Sequence, residues 1–170
     1  MEVTTQCDGT RGRTAGFFLP LYGTTQCIYN SRKKSHTMFE FHRNERARQL
    51  RPSLSRSWLL VRANSTEEVF EEAFESEADS IIIDLEDGCP AEEKDAAREQ
   101  VVRMLNSGVV AWVRINAITT EHWWKDVKAL KNVKGLRGVM LATAEHATDI
   151  DRTAAELPPG TPIIALIESA

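Results

Sequence analysis

The chain has 170 residues, 42% of them hydrophobic and 27% charged, a composition typical of a globular protein with room for one domain. Its net charge of −4 is unevenly distributed along the chain. Residues 1–56 hold ten basic and four acidic side chains, whereas residues 57–170 hold eleven basic and twenty-one acidic ones. This acidic part argues against nucleic acid as a partner. No stretch predicts a membrane span, and three cysteines without metal-binding spacing favour a reducing, cytoplasmic compartment.

The first 52 residues show neither helical nor strand periodicity and are rich in glycine, threonine, serine and arginine. We predict that residues 1–52 form a disordered basic tail. Two other interpretations remain open. One is a mitochondrial transit segment, which would be rich in arginine and serine and would place the protein in mitochondria. The other is an upstream extension that precedes a true start at Met38.

A regular pattern begins at Trp58. The apolar run of residues 58–61 is typical of a buried parallel strand. Ser65 stands three residues before Glu68, which is the spacing of a capping box at the start of a helix. The predicted helix then carries one apolar stripe, formed by Val69, Phe70, Ala73 and Phe74.

The same unit recurs along the rest of the chain. Apolar runs predict further strands at residues 80–85, 109–115, 138–141 and 162–167, and helical spacing of apolar residues separates each from the next. This alternation predicts an α/β fold of about five parallel strands and four helices. Because a closed (β/α)8 TIM barrel has eight of each, we predict a partial barrel.

Polar side chains stand at the carboxyl ends of three predicted strands. They are Asp84, Glu86 and Asp87 after the second strand, Arg114 and Asn116 at the end of the third, and Glu168 after the fifth. Parallel strands bring these ends to one rim, where carboxylates suit Mg²⁺ or Mn²⁺ and a guanidinium suits a substrate carboxylate. A structural interpretation also remains open, in which Asp84 caps a turn and Arg114 pairs with it.

Several segments of the sequence follow a known pattern in order, namely Arg56–Val61, Ile82–Gly88 with Glu93–Arg98, Val113–Asn116, Gly138–Leu141 and Ala165–Ser169. In these segments the sequence resembles the HpcH/HpaI aldolase and citrate lyase β-subunit family. The resemblance covers residues 56–170 and implies that they form the amino-terminal half of a citrate lyase β-like barrel.

The resemblance implies a metal-dependent carbon–carbon lyase that cleaves a β-hydroxy acid or its coenzyme A thioester. Its small-molecule partner would be a keto acid or acyl-CoA, and its cofactor Mg²⁺ or Mn²⁺. Arg114 would bind the substrate carboxylate, with Glu86 and Asp87 holding metal-bound waters or orienting Arg114. Glu168 would be one of two carboxylate ligands of the metal. The supporting positions would be Asp84 and Asn116.

The sequence also departs from the family pattern. The family's first strand usually runs into a Pro-Gly turn, where this chain has Arg62-Ala63-Asn64, and its fourth strand usually ends in Pro-Lys, where this chain has Ala142-Thr143. The family's second metal-binding Asp lies on the next βα unit, which this sequence does not include. We therefore expect a truncated member of the family. Two functions remain open: a lyase, or a catalytically silent binding or assembly module. Unpaired strand edges predict a homo-oligomer.

Overall fold

The computed structural model describes residues 50–168, which form one five-stranded sheet and four α-helices. The strands are β1 (Trp58–Arg62), β2 (Ser80–Asp84), β3 (Ala111–Ile115), β4 (Leu136–Leu141) and β5 (Ile163–Ala165). The helices are α1 (Glu67–Glu75), α2 (Lys94–Asn106), α3 (Glu121–Leu130) and α4 (Ala147–Glu156). The prediction of five parallel strands and four helices is confirmed. The predicted tail lies outside the described residues except for its last three positions.

Each strand pairs in parallel with the next strand along the chain, so the sheet order is β1-β2-β3-β4-β5. One row of register partners crosses the sheet near the carboxyl ends of the strands. Its members are Arg62, Asp84, Arg114, Met140 and Ile164. Because side chains alternate between the faces of a strand, register partners share one face. The register therefore makes Asp84 and Arg114 neighbours.

The four helices pack against the opposite face of the sheet. There, apolar side chains from strands and helices form one core, which includes Ile81, Ile83, Val113, Ile115, Phe70, Val101, Met104, Val127 and Leu130. Every residue of β2 is buried, which explains its run of three isoleucines. No helix within residues 50–168 is long and apolar enough to cross a membrane.

An aromatic layer lies on the face that the helices do not cover. The indole of Trp112 lies over Gly138 on the neighbouring strand, where an added Cβ would collide with the ring. The Trp58 ring meets Trp112 edge-on, with ring centroids 5.3 Å apart. Only glycine at position 138 leaves room for this arrangement. On the same face, Leu60 of the edge strand is 46% exposed.

Four local predictions need correction. The residue that caps α1 is Thr66 rather than Ser65, and its side chain makes no capping hydrogen bond. The third strand begins at Ala111, two residues after its predicted start, and the fourth begins at Leu136, two residues before its predicted start. The fifth strand is limited to residues 163–165, although the N–H of Leu166 still donates to the Leu141 carbonyl. Apolar runs therefore locate the strands but not their exact ends.

Candidate functional site

The turn after β2 is built around the side chain of Asp84. Its Oδ1 accepts a hydrogen bond from the backbone N–H of Glu86 at 2.9 Å, and its Oδ2 accepts one from Gly88 at 2.8 Å. An added Cβ at Gly88 would collide with Asp84 Oδ2, so the turn requires glycine there. The predicted capping of a turn by Asp84 is confirmed.

Arg114 binds the same carboxylate from β3. Its Nε donates to Asp84 Oδ1 at 2.7 Å and its Nη2 to Oδ2 at 2.6 Å, which is a two-bond pair. The side chains are 12% and 4% exposed. The hydrogen bond with Asp84 is the main cause that raises the pKa of Arg114. Each oxygen of Asp84 thus accepts two hydrogen bonds, and Asp84 positions Arg114.

Glu86 faces the remaining nitrogen of this guanidinium. Its Oε2 lies 3.2 Å from Arg114 Nη1, an ion pair that is not aligned as a hydrogen bond. Burial raises the pKa of Glu86, and this effect exceeds the lowering by the Asp87 backbone and by the charge of Arg114. Asp87 is exposed at the next position. The structure therefore brings Asp84, Glu86 and Arg114 together, with Asp87 beside them.

Two further side chains hold the turn from behind. Lys94, which is 7% exposed, donates from Nζ to the carbonyl oxygens of Leu85 and Glu86, both at 2.6 Å. Asn116 Nδ2 donates to the same Leu85 oxygen at 3.1 Å. Sequence reasoning assigned no role to Lys94. The available signal was a lysine at the first residue of a helix, where the helix dipole disfavours a cation.

Asn116 lies in a buried network rather than at the open rim. Its backbone N–H and its Nδ2 both bind Asp126 Oδ2, at 3.0 and 2.6 Å. Asp126 is fully buried and accepts from Arg98 Nε at 2.8 Å. Asn116 thereby ties the end of β3 to α2 and α3. The supporting role predicted for Asn116 stays a prediction.

Glu168 follows β5 at the same end of the sheet as the other predicted residues. Its Oε1 accepts from the backbone N–H of Thr143 at 2.9 Å and from the Thr143 hydroxyl at 3.3 Å. Thr143 has a φ of 46°, a left-handed conformation that is uncommon for residues other than glycine. Glu168 is exposed, and its other carboxylate oxygen has no hydrogen bond within residues 50–168. It is bound to the loop after β4 and not to Arg114.

The described residues do not by themselves fit a metal ion. Within residues 50–168, no three His, Cys, Asp or Glu side chains come close enough to hold one. Asp84 has its oxygens engaged by Arg114 and by backbone N–H groups. Glu168 remains one candidate ligand among the residues described, and its predicted role stays a prediction.

Comparison with known proteins identifies the family. A family model described as HpcH/HpaI aldolase/citrate lyase matches residues 56–170. The chain is 32% identical over 116 residues to a (3S)-malyl-CoA thioesterase of Cereibacter sphaeroides, a match that covers 66% of this chain and 40% of that protein.

Solved structures give the same result. One is CitE from Mycobacterium tuberculosis in complex with magnesium, acetoacetate and coenzyme A, with 31% identity, a TM-score of 0.56, and coverage of 68% of this chain and 41% of that one. Another is the citrate lyase β subunit of the same organism complexed with oxaloacetate and magnesium, with 32% identity, a TM-score of 0.54, and coverage of 66% and 47%. The chain spans less than half of the length of each relative.

The predicted family and the partial-barrel architecture are confirmed, since this chain has five parallel strands and four helices and its structural relatives are TIM-barrel-like. The family consists of metal-dependent aldolases and citrate lyases. Its model extends over more than half of the sequence, and the protein therefore belongs to the HpcH/HpaI aldolase/citrate lyase family.

Proposed function

We propose that this chain contributes the carboxylate-binding part of a carbon–carbon lyase site, which cleaves a β-hydroxy acid or its coenzyme A thioester. The observation that carries the proposal is the state of Arg114. Asp84 engages its Nε and Nη2 and fixes the plane of the guanidinium. At its Nη1 end the guanidinium makes only the ion pair with Glu86, which is not an aligned hydrogen bond, so a substrate carboxylate at the rim can accept these N–H groups.

The neighbouring acids have distinct roles in this proposal. Glu86 forms an ion pair with the Nη1 end of Arg114, and its raised pKa allows it to hold or release a proton near the substrate. Asp87 is exposed next to it and is a second acid within the same turn. Asp84 binds no substrate, because its oxygens are already engaged, and it keeps the positive charge of Arg114 in one orientation.

Mg²⁺ or Mn²⁺ is the proposed cofactor, with Glu168 as one ligand. Since residues 50–168 hold no cluster of three ligands, the other protein ligands would come from outside that range or from a second chain. A bound divalent ion would supply polarisation of the keto-acid oxygens. The complexes of the relatives with magnesium, acetoacetate, oxaloacetate and coenzyme A support this choice of cofactor and substrate class.

A catalytically silent binding or assembly module is the second candidate function. The lack of a three-ligand cluster among the described residues favours it. So does the exposed apolar side chain of Leu60, which is 46% exposed on the face of β1 that the helices do not cover. Such a face is suited to a second copy of the chain, which would make the protein a homo-oligomer.

One experiment separates the two candidates. The purified chain is incubated with (3S)-malyl-CoA and Mg²⁺, and both possible reactions are followed. Carbon–carbon cleavage releases glyoxylate and acetyl-CoA, whereas thioester hydrolysis releases malate and free coenzyme A. In parallel, NMR titration with 2-oxobutanoate measures keto-acid binding in the wild type and in Arg114→Gln. Binding that is lost in the variant supports the proposed site, and binding unaffected by the substitution contradicts it.

A further inference from the structure

Arg62 ends β1 on the same face as the candidate site. It is the register partner of Asp84, and Asp84 is in turn the register partner of Arg114. The two arginines therefore lie on either side of one carboxylate in a single row. Two inter-strand spacings separate their Cα atoms, which is about 10 Å. Both side chains can consequently reach the same small molecule.

The position of Gly88 shows where the Arg62 side chain lies. A Cβ placed on Gly88 would contact the Asp84 carboxylate and, at 3.2 Å, Cγ of Arg62. The stem of Arg62 therefore lies beside Gly88 and the Asp84 carboxylate. Arg62 is exposed.

The charge of Arg62 is not neutralised locally. Asp84 cannot serve as its partner, because Arg114 and two backbone N–H groups engage both oxygens. Within residues 50–168 Arg62 makes no ion pair, and the acidic partner of the candidate site, Glu86, pairs with Arg114 instead. An exposed arginine that makes no ion pair with the described residues, next to a carboxylate-binding arginine, can bind a second anion.

We propose that Arg62 is a specificity-determining residue that binds the second carboxylate of a dicarboxylic 2-oxo acid, while Arg114 binds the first. This inference rests on the proposed function. The anion that Arg62 binds is not a phosphate of coenzyme A, because the pantetheine arm separates the phosphates from the acyl group by far more than the distance between the two arginines. The site is thus selective for a substrate with negative charge at both ends.

The test compares two ligands of similar shape. Oxaloacetate carries the second carboxylate, and 2-oxobutanoate has a methyl group in its place. Dissociation constants are measured by NMR titration of the full chain at constant Mg²⁺ and ionic strength. The variants are Arg62→Gln, which removes the charge, Arg62→Lys, which retains it, and Arg103→Gln as a control on the outer surface of α2, where the side chain is 62% exposed.

The wild type is expected to bind oxaloacetate about 5- to 20-fold more tightly than 2-oxobutanoate, as one charge-assisted contact predicts. R62Q removes this preference without changing the affinity for 2-oxobutanoate, R62K retains part of it, and R103Q leaves it intact. If R62Q weakens the binding of both ligands equally, or changes neither dissociation constant, the role of Arg62 is overturned while the proposed function stands. Absence of binding of either ligand to the wild type overturns the proposed function, and this inference with it.

Discussion

Asp84 and Arg114 are register partners on neighbouring parallel strands, and their side chains form an ion pair with two hydrogen bonds. The same register that pairs their backbones brings the two charges together on one face. Removal of either partner would leave the charge of the other poorly solvated, so each side chain stabilises the charged form of the other. Position and orientation of Arg114 therefore depend on Asp84.

Asp84→Asn should lower the free energy of unfolding by about 3 kcal/mol or more, because Arg114 would lose its charged partner inside the rim. The turn would also lose part of the acceptor capacity that binds the N–H groups of Glu86 and Gly88. Urea denaturation at neutral pH measures the difference. Asp87→Asn is the matched control, since Asp87 is exposed and its substitution should change stability by about 0.5 kcal/mol at most. Equal stability of the two variants would contradict the prediction.

The sequence predicted the residues at the rim and a supporting position at Asn116, but not the contacts that hold the turn after β2. Alternating apolar runs predicted the five strands, and strand ends in turn predicted where Asp84, Arg114 and Glu168 lie. The contacts of Lys94 and Asn116 with the Leu85 carbonyl could not be predicted in this way, because these residues lie 9 and 31 positions from Leu85. Such contacts depend on how helices pack against the sheet, which local periodicity does not determine.

Lys94→Met should loosen the turn that carries Glu86. The carbonyl oxygens of Leu85 and Glu86 would lose short bonds to a buried ammonium, so the free energy of unfolding should fall by about 1–3 kcal/mol. Amide exchange at Gly88 should accelerate more than exchange in the core strands. The control is Lys128→Met on the exposed side of α3. Unchanged exchange at Gly88 would show that Lys94 does not hold the turn.

Glu86 should make stability depend on pH in a defined direction. Burial raises the pKa of its carboxyl above 4.5, so the folded protein binds this proton more tightly than the unfolded chain does. Stability contributed by the bound proton is complete below pH 4.5 and is lost as the pH rises through the raised value. From pH 4 to pH 7 the unfolding free energy of the wild type should therefore decrease relative to that of Glu86→Gln, which cannot lose a proton at this position. An increase of the wild-type value relative to the variant over this interval would refute the assignment.

Arg114→Lys should weaken keto-acid binding nearly as much as Arg114→Gln does. Lysine keeps the positive charge, but it lacks the planar fork that binds Asp84 with two nitrogens and leaves a third for the substrate. NMR titration with 2-oxobutanoate gives the dissociation constants, and unfolding curves establish that each variant is folded. Wild-type affinity in the lysine variant would mean that charge alone suffices and that the fork geometry has no role.

As a monomer, the purified 170-residue chain should bind Mg²⁺ only in the millimolar range and should not turn over a β-hydroxyacyl thioester. Mg²⁺ releases its water shell reluctantly, and a single carboxylate does not compensate for that loss. Among residues 50–168 the candidate ligand is Glu168, whose Oε1 already accepts two hydrogen bonds from Thr143. Calorimetric titration of wild type and Glu168→Gln, together with the size of the assembly in solution, tests this expectation. Micromolar binding that is lost in E168Q would require further ligands from outside residues 50–168 or from a second copy, and turnover under those conditions would exclude the silent-module function.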